Sequence, residues 1–226
     1  LEFRRVLFRS HGAICVSQSG RCFFSRSTSE RSGNRGECSQ PCRLEYDLCN
    51  DKGEVIIKSK HLLSVRDLDL SARLGEMIDL GISSFKIEGR LKDRTYVRNI
   101  VSLYRQLLDR EIACRNDVER SSVGRSTIEF EPNASRTFTR GAGEYFFDGK
   151  CRDVASFDTP KAMGERIGKV ARADRRGIVL DRKHDLATGD GVCFISNGAL
   201  VGTNVVGVEG DRVQLNRYDG VAVGVE

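Results

Sequence analysis

Apolar positions recur at helical spacing most clearly over residues 94–112, where Val97, Ile100, Val101, Tyr104, Leu107 and Leu108 form a stripe. A second helix is predicted over residues 64–80 from Leu68, Leu74, Met77 and Ile78, with Gly81 where a C-terminal cap belongs. Between the two, residues 82–87 read as a short strand that ends in Glu88-Gly89-Arg90. Earlier, residues 44–49 and 55–58 flank Asn50-Asp51-Lys52-Gly53, the pattern of a hairpin with glycine at its left-handed position. Helix, glycine, strand, polar loop, helix is the rhythm of a β/α unit.

From about Ile128 the pattern changes. Short apolar runs (residues 178–180, 192–195, 205–206 and 213–215) alternate with glycine-rich turns, which predicts a small β-barrel or sandwich. The fold class expected is therefore α/β plus all-β: the C-terminal part of a TIM-like β/α barrel, followed by a β module. Residues 11–114 form the partial barrel domain with a Cys-rich loop, 115–127 a polar linker, and 128–226 the β module. Residues 1–10, LEFRRVLFRS, are set aside. RVLFRS is what CGT GTG CTC TTC CGA TCT encodes, one frame of a common short-read sequencing adapter, so the stretch reads as a scar. The remainder is then an internal piece of a longer protein, entering at His11.

Packing does not explain the stretch from His11 to Tyr46. It holds Cys15, Cys22, Cys38 and Cys42, four of the eight cysteines, in a Gly/Ser/Arg-rich segment with no core-forming apolar run. Thiols gathered in a polar loop hold a metal, form disulfides or do redox chemistry. The spacing is C-x6-C, fifteen residues, then C-x3-C. Only the second pair suits a zinc knuckle, whereas iron–sulfur clusters accept more scattered thiolates. Zinc and disulfides stay open behind the cluster. Cys49, Cys114, Cys151 and Cys193 read as packing residues.

Lys86, Glu88 and Arg90 lie on or just past the predicted strand, where a β/α barrel carries its chemistry. Lys86 and Glu88, two apart, share one side of that strand and need a partner or a use. A Lys86–Glu88 ion pair is the structural alternative. The chain carries 37 Lys and Arg against 32 Asp and Glu, a mildly basic balance that alone says little about nucleic acid. Arg172, Arg175, Arg176, Arg182 and Lys183 crowd one stretch of the β module, which reads either as an electrostatic footing for phosphates or as a solvated hairpin. Tyr46, Tyr96 and Phe24 are available for stacking on bases, or for the core. No apolar run spans a bilayer, and H-E-x-x-H, G-x-S-x-G and phosphate-loop motifs are absent. His11 and His61 leave a Cys–His nucleophile conceivable. A cytoplasmic location is expected.

The specific residues then suggest a family. HGAICVSQSGRCFFS resembles the signature of the collagenase-like peptidase family U32, and GECSQPCRLEY looks like the second half of its cysteine set. LGEMIDLGISSFKIEGRLKDRTYVRNIVSLYRQLLD is similar to the family's Ile-Glu-Gly-Arg strand and following helix. RTFTRGAGEYFF and FDTPKAMGERIGKV resemble the β module of the branch that hydroxylates ribosomal RNA. The resemblance implies a four-iron four-sulfur cluster on Cys15, Cys22, Cys38 and Cys42, the fourth ligand being placed differently in some branches. It also implies prephenate as co-substrate and a cytidine of large-subunit ribosomal RNA as target. A transfer-RNA uridine and collagenase-like proteolysis are the alternatives. On that reading Arg21 and Arg43 offset cluster charge, and Lys86 and Arg90 bind an anionic group. Glu88 orients a base or moves a proton, and His11 joins the catalytic set.

Overall fold

The computed structural model describes residues 7–17 and 21–226. Strand β1 (Leu7–Gly12) opens the described chain. The cysteine loop follows, with one short helix, α1 (Phe24–Thr28), and 3-10 turns at Gly33–Arg35 and Pro41–Arg43. A hairpin of β2 (Tyr46–Cys49) and β3 (Val55–Lys60) comes next, then β4 (Asp67–Asp69). Helix α2 (Leu74–Asp79), strand β5 (Ser84–Glu88) and helix α3 (Arg94–Ala113) complete the first half.

The first sheet has the order β5-β1-β4, extended by β6 (Ala142–Gly143). Here β1 runs parallel to β5 and antiparallel to β4. The sheet is therefore mixed, and a closed β/α barrel is not evident. Leu68, Leu70, Leu74, Met77, Tyr96, Ile100 and Tyr104 form its buried core.

The predicted hairpin is present. Gly53 has φ +82°, and the Asn50 carboxamide oxygen accepts from the backbone N–H of Lys52 and Glu54. Helix α3 matches its predicted span, and the Asp93 carboxylate caps it by accepting from Tyr96 N–H at 2.7 Å. Its buried line is Tyr96, Ile100 and Tyr104, four apart, so Val97 and Val101, one position round the helix, are exposed rather than part of the stripe.

The long helix expected from residue 64 is shorter. Asp67-Leu68-Asp69-Leu70 alternates with period two, and the chain extends as β4 before α2 begins. Gly81, at φ +82°, closes α2 as expected: its N–H reaches Ile78 O, and Ile82 N–H reaches Met77 O.

Two boundaries also shift. Residues 7–10 of the stretch set aside as a scar are paired strand, while residues 1–6 lie outside the described residues. Backbone pairing asks little of side-chain identity: Ser10 O accepts from Leu70 N–H and from the Tyr104 hydroxyl at 2.7 Å. Further on, Ala134, Phe138, Tyr145 and Phe147 pack against the first core, and β6 pairs with β4, so the first unit extends past residue 128. Residues 114–133 carry no helix or strand.

The β module is a five-stranded antiparallel sheet. Its strands are β7 (Val170–Asp174), β8 (Gly177–Leu180), β9 (Gly191–Ser196), β10 (Ala199–Glu209) and β11 (Arg212–Leu215), in the order β7-β8-β11-β10-β9. Val170, Ile178, Leu180, Val205, Val213 and Leu215 form a second, separate core. Asn197 and Gly198, both at positive φ, turn β9 into β10 as the Ser-Asn-Gly pattern predicts.

Candidate functional site

The cysteine loop is short of regular structure and is held by side-chain hydrogen bonds. The Tyr46 hydroxyl donates to Pro41 O at 2.7 Å, and the Tyr46 and Phe24 rings lie 5.9 Å apart. Asn34 Oδ1 accepts from Cys22 N–H at 3.1 Å. Ser25, fully buried, accepts Ser39 N–H at 3.1 Å and sends its own hydroxyl to Cys38 Sγ at 3.7 Å. Tyr46 and Phe24 therefore brace this loop, and Tyr96 belongs to the core. The exposed aromatic here is Phe23, next to Cys22.

All eight cysteines are free thiols. Backbone N–H groups point at two of the loop sulfurs, Ser17 N–H at Cys15 Sγ (3.4 Å) and Gln40 N–H at Cys38 Sγ (3.3 Å). Burial pushes the Cys42 thiol up; the adjacent Arg43 charge opposes this, and Cys15, Cys38 and Cys22 add to the rise. Among the described residues, no three His, Cys, Asp or Glu side chains close on a point as ligands of a single metal ion.

Arg43 ties the loop to the first sheet. Its guanidinium donates to Ser64 Oγ at 2.9 Å, Val65 O at 2.6 Å and Ile14 O at 3.4 Å. Burial, and then the charge of Arg140, push its pKa down. Arg21 is exposed.

His11 is buried at the end of β1, its ring edge-on to Tyr104 with centroids 5.5 Å apart. Its Nδ1 lies 3.4 Å from Asp69 Oδ1 on β4 but out of line for a hydrogen bond. Burial pushes the Asp69 carboxyl up, yet His11 and the Ser71 N–H outweigh it and hold the group below the usual carboxylate range. Beside this pair, Asp67 and Arg140 form a buried ion pair at 2.8 Å. Burial and the neighbouring acids Asp67, Asp69 and Glu88 push the Tyr96 hydroxyl up to about 12.

Lys86, Glu88 and Arg90 form a different group. Lys86 is exposed, and the Lys86–Glu88 pair considered from sequence is not made. Glu88 instead takes Arg90 at 3.1 Å and Arg9 at 3.4 Å. Burial raises the Glu88 carboxyl, but these two cations outweigh it and keep it ionised below its ordinary range. The candidates therefore divide: His11 goes with Asp69, and Glu88 goes with Arg90.

Sequence reasoning missed Asp67, Asp69, Thr139 and Arg140. The signal available was the period-two alternation of Asp67 to Leu70, read there as helix. Cys49, Cys114 and Cys151, read as packing residues, are exposed on loops and edges; Cys193 is half-buried, with its thiol donating to Met163 O at 3.3 Å.

The five cations singled out from sequence, Arg172, Arg175, Arg176, Arg182 and Lys183, are all exposed. Arg172 lies on edge strand β7, Arg175 and Arg176 form the β7–β8 turn, and Arg182 and Lys183 follow β8. Arg172 lies 3.9 Å from Asp211, and Arg182 lies 3.6 Å from Asp181. No helix among the described residues is long and apolar enough to cross a membrane.

The Peptidase family U32 profile matches residues 8–155. The chain is similar to the 23S rRNA 5-hydroxycytidine C2501 synthase of Escherichia coli, at 44% identity over 92% of this chain and 31% of that protein. It is also similar to the tRNA hydroxylation protein P1 of Bacillus subtilis, at 35% identity over 77% of this chain and 40% of that protein. A collagenase of Porphyromonas gingivalis matches at 32% identity, over 64% of this chain and 37% of that protein. The chain thus spans between three and four tenths of the length of these relatives. No solved structure matches. From the profile match and these relatives, the chain belongs to peptidase family U32.

Proposed function

We propose that this chain is part of an RNA-base hydroxylase that acts on a cytidine of large-subunit ribosomal RNA. Its mixed sheet and α2–α3 are then a segment of a larger TIM-like β/α barrel. The observation that carries this reading is the presence of four free cysteines, Cys15, Cys22, Cys38 and Cys42, in one loop of a chain 44% identical to a ribosomal cytidine hydroxylase. The donor set suits a four-iron four-sulfur cluster, and N–H groups aimed at Cys15 and Cys38 would stabilise thiolate ligands. Bound there, the cluster supplies one-electron chemistry.

The chain's own residues do the rest. Arg43 holds the loop against Ser64 and Val65, next to the cations and acids around His11. Arg90 and Lys86, both exposed, suit an anionic group such as an RNA phosphate or a prephenate carboxylate. Glu88, held ionised, can orient a base or accept a proton but is poorly placed to donate one. Arg172, Arg175, Arg176, Arg182 and Lys183 supply an electrostatic footing for RNA on the β module. Transfer RNA is the sister substrate, on the likeness to the Bacillus subtilis protein.

The match to a collagenase favours proteolysis as a second reading. The test is nucleoside mass spectrometry of ribosomal and transfer RNA from cells with and without Cys15→Ala. Loss of a hydroxylated cytidine supports the proposal. An unchanged nucleoside profile, with gelatin cleavage that the same substitution abolishes, favours the peptidase.

A further inference from the structure

A small cavity of about 60 Å³ lies beside the first sheet; its wall is largely apolar but carries the polar groups of His11, Asp67, Asp69, Tyr96, Ser135 and Thr139. Two of these side chains are more than nine-tenths buried and have a polar atom without a hydrogen-bond partner: His11 Nδ1 and Thr139 Oγ1. Buried polar atoms without partners are costly, and the other acid in the wall, Asp67, is already occupied by Arg140. Asp69 Oδ1 is the carboxylate oxygen near His11 Nδ1, at 3.4 Å. The volume suits about two water molecules. A nucleobase does not fit.

We propose that His11 and Asp69 form a proton-handling couple at this cavity, with Asp69 as the positioning residue. The Asp69 carboxylate, 3.4 Å away though not hydrogen-bonded, draws the imidazole proton to Nδ1 by its charge and leaves Nε2, on the opposite side of the ring, as the acceptor. In the transfer step an O–H bond of a water or small hydroxyl within reach of Nε2 breaks and an Nε2–H bond forms. The resulting imidazolium is balanced by the Asp69 carboxylate, and the proton returns by the reverse path. Tyr104 and Tyr96, with centroids 5.5 and 6.3 Å from the ring, restrict its rotation. Thr139 Oγ1 offers a hydroxyl in the cavity a hydrogen bond. A role for the couple in turnover rests on the hydroxylase reading; its existence does not.

The test is long-range proton–nitrogen NMR of the chain labelled at histidine, with the His11 signals identified by their loss in His11→Gln. The expected result is an Nδ1–H tautomer in the wild type, a shift toward Nε2–H in Asp69→Asn, and recovery in Asp69→Glu. An Nε2–H tautomer in the wild type overturns the couple, as does a tautomer unmoved by Asp69→Asn; the wild-type spectrum decides even where a variant fails to fold. In RNA-modification assays, Asp69→Asn is expected to lower kcat about 10²-fold with KM little changed. A change confined to KM overturns the proton role. A wild type with the expected tautomer that modifies no RNA supports the couple and removes the hydroxylase reading alone.

Discussion

Gly12 and Glu88 stand so close on adjacent strands that a Cβ on Gly12 would lie 2.4 Å from the Glu88 carbonyl oxygen. Gly12 also has φ +98°, where side chains are strained whatever the space. The glycine after His11 is thus what lets β1 lie against β5 just before the cysteine loop begins. Gly12→Ala is expected to destabilise the chain by at least about 1–3 kcal/mol, read as a lower urea midpoint. An unchanged midpoint would show that β1 and β5 do not pair this closely.

The Asp67–Arg140 pair is nearly closed to solvent, with side-chain exposures of 7% and 13%. Removing one partner strands the other charge, so Arg140→Ala is expected to cost about 3–5 kcal/mol. Replacing both residues with apolar ones of similar volume should cost less than either single change. Urea unfolding of the two single variants and the double variant checks the order.

Asp69 gives a pH dependence with a definite sign. Its folded-state pKa lies below the unfolded value, so its contribution is present above about pH 4 and is lost as pH falls through the folded value. Acidification should therefore destabilise the wild type more steeply than Asp69→Asn. Identical slopes for the two proteins would show that His11 and Ser71 do not stabilise the carboxylate.

The unpaired cations of the β7–β8 region bear on RNA. Arg175, Arg176 and Lys183 have no ion pair among the described residues. Changing all three to alanine should weaken RNA binding across sequences and lower the salt slope by about 2–3. A slope equal to the wild type would place the RNA elsewhere.

Much of this architecture was legible from local signals. The Asn50–Gly53 turn, the span of α3, the Gly81 cap and strands β8, β9 and β11 follow from glycine placement and periodicity, whereas β7 had no apolar run to mark it and β10 extends well beyond residues 205–206. The residues at β4 were not, because Asp67 to Leu70 is too short a run to separate period two from a helical start. The pairing of His11 with Asp69 depends on strands brought together from 58 positions apart, which no local pattern encodes. Glu88 takes Arg90, two residues on and past the strand end, rather than Lys86, two residues back on the strand, and sequence spacing alone does not choose between them.

The central claim is that the four loop cysteines hold an iron–sulfur cluster, and anaerobic purification with counts of iron and acid-labile sulfide tests it most directly. The wild type should carry about four of each per chain. Cys15→Ala should lose most of both, while Cys49→Ala, changed at an exposed thiol outside the loop, should keep them. A wild-type chain that folds without iron, or that carries zinc in its place, would contradict the claim.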